Sequence, residues 1–186
     1  MHNKNNETTV IITLYKTPIK NIELLKQYKN YKLIVFDQSP EKNTADKIKR
    51  LNLEYYSSKK NIGLSKATNF LISKVKTKYF FFTQADIKIN LKSIKLLKNA
   101  IKKRNDIIFS GPKFVKKFGL NYLRQKVKNN KFVKHLNAAC MLCDVKKVKK
   151  IGFFDEDFFL YWEDLFLMNK INKSRYKMIF VENAEA

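Results

Sequence analysis

The feature that most restricts the fold is a regular alternation between short apolar runs and amphipathic segments. Val10-Ile11-Ile12-Thr13-Leu14, Leu33-Ile34-Val35-Phe36, Leu53-Glu54-Tyr55-Tyr56, Tyr79 to Thr83 and Ile107-Ile108-Phe109 have the length and composition of buried strands. Between them, Pro18 to Tyr28 and Asn43 to Leu51 read as helices. So does the segment after Asn61-Ile62-Gly63, with Leu64, Ala67, Phe70, Leu71 and Val75 on one face, and the segment carrying Leu91, Ile94, Leu97 and Ile101. Strands that alternate with helices imply an α/β fold, a mostly parallel sheet covered by helices on both faces. Ligands of such sheets bind beyond the carboxyl ends of the strands. Tyr15-Lys16, Asp37 to Ser39 and Gln84 to Asp86 are therefore expected to line one crevice.

The chain has 186 residues, 45% of them apolar, which suits a single domain over 10–186 behind a polar, disordered stretch at 1–9. No apolar run approaches the ~18–20 residues needed to cross a bilayer. The Asn-rich start resembles neither a signal peptide nor an anchor, and two cysteines suit a reducing compartment, so a cytoplasmic location is expected. A net charge of +23 invites a nucleic-acid or anionic-membrane partner. Only Arg50, Arg104, Arg124 and Arg175 are arginines, however, and base readers rely on the planar arginine fork. Lysine abundance beside much Asn, Ile and Phe fits the coding bias of an AT-rich genome.

Two segments depart from this background. Ile107 to Cys143 has no acidic residue, and Lys113 to Lys134 packs eight cations among Phe114, Phe118, Tyr122 and Phe132. This stretch is either a solvated loop or an electropositive surface for phosphates or anionic lipid headgroups. Ile151 to Asn169 is the opposite, with no Lys or Arg. It holds Asp155, Glu156, Asp157, Glu163 and Asp164 among Phe153, Phe154, Phe158, Phe159, Tyr161 and Trp162. Aromatics favour burial, so a partly buried acidic site explains the segment better than carboxylates pairing surplus lysines.

The second segment, Ile151-Gly152-Phe153-Phe154-Asp155-Glu156-Asp157-Phe158-Phe159-Leu160-Tyr161-Trp162-Glu163-Asp164, resembles the "GGFDExFFxYxED" stretch of the family 2 glycosyltransferases, most closely their rhamnosyltransferase-like branch. Asn61 to Asn69 is similar to the family's "NxGxxxAxN" helix start, Val10 to Lys16 to its opening strand, and Val35 to Ser39 to its "VVDNxS" turn. Gln84-Ala85-Asp86 stands where the family carries a DxD-like element. The resemblance spans about residues 10 to 182 and implies a GT-A-like fold. It also implies an enzyme that moves a sugar from a nucleotide-sugar to an acceptor hydroxyl with inversion. The acceptor would be a glycan or lipid-linked acceptor in bacterial polysaccharide synthesis, with no nucleic-acid partner expected, and the basic segment at Lys113 to Lys134 would give the peripheral contact with anionic membrane.

By that resemblance Asp164 is the general base and Glu163 its orienting neighbour. Thr13, Tyr15, Asp37, Asn61, Gly63, Lys66, Asn69 and Gln84 line the nucleotide-sugar site. Asp155, Glu156 and Trp162 shape the acceptor side. Asp86 is the ligand of a divalent cation, Mn²⁺ or Mg²⁺, which favours carboxylate oxygen. Gln84 replaces the second acid of the family's pattern, so coordination is expected to lean on phosphate oxygens and water. Asp37 could equally cap its own turn. The family's "EDxDLxxR" becomes Glu163-Asp164-Leu165-Phe166-Leu167-Met168-Asn169-Lys170, leaving Lys170 or Arg175 as candidate phosphate cations. A last strand is expected at Met178 to Val181, where relatives run on to a histidine and further helices. The domain is thus expected to be minimal, a fragment or a degenerate, inactive copy.

Other signals carry less. Cys140 and Cys143 have CxxC spacing, but Leu136 to Val145 reads as a strand, which puts residues three apart on opposite faces and argues against zinc. His135 reads as a surface residue, and Phe80-Phe81-Phe82 as a buried strand rather than a stacking platform. Asn137 to Ala139 is a further candidate for the acceptor side. The rival function is a basic protein that binds nucleic acid through Lys113 to Lys134. The acidic–aromatic segment has no place in it.

Overall fold

β-Branched and aromatic residues, buried almost without interruption along each central strand, build the centre of the molecule. A computed structural model describes residues 7–51, 53–115 and 130–186. Eight strands among these residues form one sheet: β1 (Thr8–Leu14), β2 (Lys32–Asp37), β3 (Glu54–Ser57), β4 (Tyr79–Thr83), β5 (Ile107–Lys113), β6 (Lys131–Val133), β7 (Cys140–Asp144) and β8 (Lys177–Glu185). The helices are α1 (Ile19–Leu24), α2 (Lys42–Lys49), α3 (Leu64–Lys74), α4 (Leu91–Lys102), α5 (Val145–Ile151) and α6 (Glu163–Asn172). Strand order is β3-β2-β1-β4-β7-β5-β8-β6. The pairs β1–β2, β2–β3, β1–β4 and β5–β8 are parallel, whereas β7 runs antiparallel to both β4 and β5, and β6 to β8.

Alternate residues of each strand feed two cores. Val10, Ile12, Leu33, Val35, Phe81 and Leu142 pack with Ile22, Leu25, Ile48, Ile94 and Leu97 on the face covered by α1, α2 and α4. Ile11, Ile34, Phe80, Phe82 and Met141 pack with Leu71, Ile72, Val148, Leu167 and Ile171 on the face covered by α3, α5 and α6. The apolar runs lack a polar side because both strand faces are covered.

The structure differs from the sequence reading at several boundaries. β1 begins at Thr8, so the stretch read as disordered over 1–9 already holds ordered residues at its end. Thr8 and Thr9 are fully buried, Thr9 Oγ1 meets Thr77 Oγ1 at 2.8 Å, and Glu7 pairs with Lys98 and Lys102 at 3.1 and 2.8 Å. The helix expected over 18–28 stops at Leu24 and tightens into a 3₁₀ turn, Leu25–Tyr28. β8 outruns the expected Met178 to Val181 because its edge is covered by β5 and β6. Cys140 and Cys143 lie on β7 in opposite cores, as the strand reading requires, and both are free thiols. The triple Phe80-Phe81-Phe82 is buried and His135 is exposed.

Candidate active site

Strand order reverses between β1 and β4: β2 and β3 extend to one side of β1, and β4 to the other. Such a switch point leaves a crevice at the carboxyl ends of the two strands. Its walls are built by the loops after β1, β2 and β4. Gln38 N donates to Leu14 O at 2.9 Å, and Lys16 N donates to Ser39 Oγ, which stitches the first two loops together. Ile62 N donates to Gln38 Oε1 at 2.9 Å, bringing the approach to α3 alongside. The β1 and β2 ends, two of the three expected to share a crevice, are thus joined, with the approach to α3 beside them.

Asp37 ends β2 and is almost wholly buried. Its Oδ1 accepts from Ser39 N at 2.9 Å and its Oδ2 from Tyr55 Oη at 3.1 Å. The turn-capping role is therefore real, and each oxygen keeps a second lone pair. Burial, followed by the nearby Asp37 charge, pushes the Tyr55 hydroxyl up to about 12, so it stays a donor. The sequence reading missed Tyr55 because it sits in an ordinary strand pattern. Thr13 is half-buried near the end of β1, Tyr15 lies exposed just beyond it, and Lys66 is exposed in the first turn of α3. Asn61 Oδ1 accepts from Gly63 N at 3.0 Å and shapes the entry to α3.

Across the switch point, Gln84 and Asp86 are both exposed after β4. Gln84 N donates to Ala139 O at 3.2 Å, tying this loop to the start of β7. Gln27 clamps it from the other side: its Nε2 donates to Ile87 O at 3.0 Å and its Oε1 accepts from Ile89 N at 3.1 Å. Gln27 belongs to no motif in the sequence. Asp86 makes no hydrogen bond or ion pair among the described residues, and no cluster of three His, Cys, Asp or Glu side chains forms a metal cage among them. One exposed hard donor fits a cation shared with phosphate oxygens better than one held by protein alone.

The acidic–aromatic segment runs from Gly152 to Trp162 without helix or strand. Asp155 Oδ1 accepts from Asp157 N at 3.1 Å, and Glu156 is exposed. Tyr161 and Trp162 are left-handed, with φ of 70° and 71°, and their side chains are 71% and 67% exposed. Two adjacent non-glycine residues in that region are strained, and such strain collects at functional sites. Helix α6 starts immediately afterwards with the carboxylate pair. Glu163 is buried, and its Oε2 has no partner among the described residues. Burial, then the Asp164 charge, raises its pKa, and its own backbone N–H only partly offsets this. Asp164 is half-exposed, and its Oδ1 accepts from Leu165 N at 2.8 Å.

Three candidate residues have partners within the protein. Asn69 spends its amide on the Phe154 backbone and Glu156. Lys170 Nζ donates to Phe153 O at 3.3 Å and lies 5.4 Å from the Phe166 ring centroid. Arg175 stacks on Tyr176 at 5.3 Å. Lys170 and Arg175, the candidate phosphate cations, are thus each engaged locally by a carbonyl or an aromatic ring. Of the basic segment, 116–129 lies outside the described residues.

The glycosyl transferase family 2 profile matches residues 10–169, so the chain belongs to that family. Solved structures share its GT-A-like fold. S. aureus TarS superposes with a TM-score of 0.75 at 16% identity, covering 97% of this chain and 36% of TarS. GalNAc-T7 with UDP, GalNAc and Mn²⁺ gives 0.75 at 12% identity, covering 96% and 43%. The mannosyltransferase PcManGT from Pyrobaculum calidifontis, with GDP-Man and Mn²⁺, gives 0.71 at 14% identity, covering 97% and 56%. The chain thus spans less than two thirds of the length of each structure. No match was found among curated protein sequences. Among the described residues, no helix is long and apolar enough to cross a membrane.

Proposed function

We propose that this domain is an inverting glycosyltransferase of the rhamnosyltransferase-like type, moving a sugar from a nucleotide-sugar to an acceptor hydroxyl in glycan or lipid-linked glycan synthesis. The observation that carries the reading is the Glu163-Asp164 pair, a buried carboxylate with an unpartnered oxygen beside a half-exposed one at the start of α6. The attacking hydroxyl must lose its proton in the transition state, which requires a base within hydrogen-bond reach. Asp164 is the base: it is open to solvent on one side and held by Leu165 N on the other. Glu163 sits behind it and fixes its field. The nucleotide lies along the switch point, with Asp37 receiving an N–H of the base and Thr13, Tyr15, Asn61, Gly63, Lys66 and Gln84 around it. Asp155, Glu156 and Trp162 face the acceptor.

Asp86 would hold Mn²⁺ or Mg²⁺ together with the diphosphate. When bound, that cation neutralises charge on the leaving group. The reading is supported by complexes of fold neighbours with UDP or GDP-Man and Mn²⁺. Thermal shift with UDP-, GDP- and dTDP-sugars and Mn²⁺ tests it, since a donor at 100 times its Kd adds about 2.7 kcal/mol of stability. No shift with any of them at millimolar concentration would defeat the proposal. The domain's expected place of work is the cytoplasm, at the cytoplasmic face of a membrane. Nucleic acid is not expected as a partner, and salt separates the rival: its affinity for nucleic acid would fall steeply with ionic strength.

A further inference from the structure

The Asn69 side chain is paired on both sides with a single residue's backbone. Its Nδ2 donates to Phe154 O at 2.9 Å and its Oδ1 accepts from Phe154 N at 3.1 Å. That reciprocal pair is what one strand offers another, supplied here by a helix side chain. Nδ2 also donates to Glu156 Oε1 at 2.9 Å. An amide nitrogen has two hydrogens, and both are used, so Asn69 has no donor left for a phosphate or sugar.

The same helix grips the segment again one turn earlier. Leu64 N donates to Phe159 O at 2.7 Å. The approach is so close that a Cβ on Gly63 would stand 2.7 Å from that oxygen and 2.9 Å from Phe159 Cδ2. From α6, Lys170 holds Phe153 O. A stretch with no helix or strand of its own is therefore fixed at Phe153, Phe154, Glu156 and Phe159. Only three residues separate Phe159 from Glu163, and Tyr161 and Trp162 among them are left-handed. Such a turn persists only where its surroundings over-determine it.

We infer that Asn69 is a positioning residue: by fixing Phe154 and Glu156 it sets where Glu163 and Asp164 stand, and it does not touch the donor. The inference rests on reading Asp164 as the base. It joins the nucleotide side, α3, to the acceptor side in one rigid unit, so the two substrates meet in a fixed geometry. Misplacement by about 1 Å can cost ~10²-fold in rate.

Four variants test it: Asn69→Ala, Asn69→Asp, Glu156→Gln, and Asn69→Asp with Glu156→Gln. Asn69→Ala should lower kcat by about 10²-fold while nucleotide-sugar affinity, read by calorimetry, stays within about twofold. Amide exchange should quicken over residues 154–162 and leave β1 and β4 unchanged. Asn69→Asp removes both donors and sets a charge against Glu156. Glu156→Gln returns a donor, so the loss caused by Asn69→Asp should be at least about threefold smaller in that background. Weakened donor affinity at unchanged kcat would instead assign Asn69 to the nucleotide-sugar site. Unchanged exchange over 154–162 would overturn the inference whether or not a working donor has been found. If exchange quickens but no nucleotide-sugar binds the unaltered protein, the latch stands and the glycosyltransferase reading fails.

Discussion

Burial gives the two adjacent carboxylates at the start of α6 different work. Asp164 lies half open, and a base acts only as the acceptor proton leaves. Asp164→Asn should therefore lower kcat by ~10²–10⁴-fold with nucleotide-sugar affinity unchanged, as transfer rate and calorimetry together would report. Glu163 is a stability question as well. Its pKa is raised in the folded state by burial first and Asp164 second. Between the unfolded and folded values the native state binds the extra proton, so stability falls as pH rises through that window. Above it, the buried charge remains a standing cost. Glu163→Gln removes that cost, and its melting temperature should exceed the parent's at pH 7, the gap closing as pH falls toward 4. A gap that does not narrow on acidification would mean the buried oxygen is relieved some other way. A stabilising change at the cost of rate is the usual mark of an active-site residue.

Strand β7 carries the main lesson at the scale of elements. The alternation of strands and helices was readable for β1 to β5 and α2 to α4, because each is a local pattern of burial on one or two faces. The insertion of β7 antiparallel between β4 and β5 was not readable, since strand order is set by long-range pairing that leaves no local trace. The same division holds at the site. Asp37, Asp86 and Asp164 stood out by motif, whereas Gln27 and Tyr55 act through bonds to residues 18 to 62 positions away in the chain. Asn69 stood out by motif, but its bonds to Phe154 and Glu156 could not be read, because spacing tells which face of α3 it occupies and not which loop lies there. Period two did settle the cysteines. Cys140 and Cys143 are wholly buried in opposite cores, and burial pushes both thiols up. Both should resist a thiol reagent such as DTNB in the native protein and react together when the central sheet unfolds. Rapid native reaction of either would show that β7 opens independently.

Charge belongs to the whole molecule. With 39 Lys and Arg against 16 Asp and Glu, few cations can find a partner, and those that do are tied up locally. Lys113 is one of them: it meets Glu182 at 3.0 Å across β5 and β8, so part of its charge is already met within the sheet. The remaining cations of the acid-free stretch include Lys116, Lys117, Lys126 and Lys128. If a lipid-linked acceptor is the substrate, these lysines have a use, because anionic lipid attracts each by about 1 kcal/mol near the surface. Replacing the four with Gln should then weaken binding to phosphatidylserine-containing vesicles by up to about 10³-fold, at ~1.4 kcal/mol per tenfold. Melting temperature and turnover of a soluble acceptor should barely move, since the switch point and the latched segment lie elsewhere in the chain. The attraction is screened over ~8 Å at physiological ionic strength, so binding of the parent should also fall as salt rises. Vesicle binding that survives the four substitutions would assign the attraction to the lysines spread over the rest of the surface. No binding by the parent at physiological salt would remove the membrane from the proposal and leave the charge to genome composition.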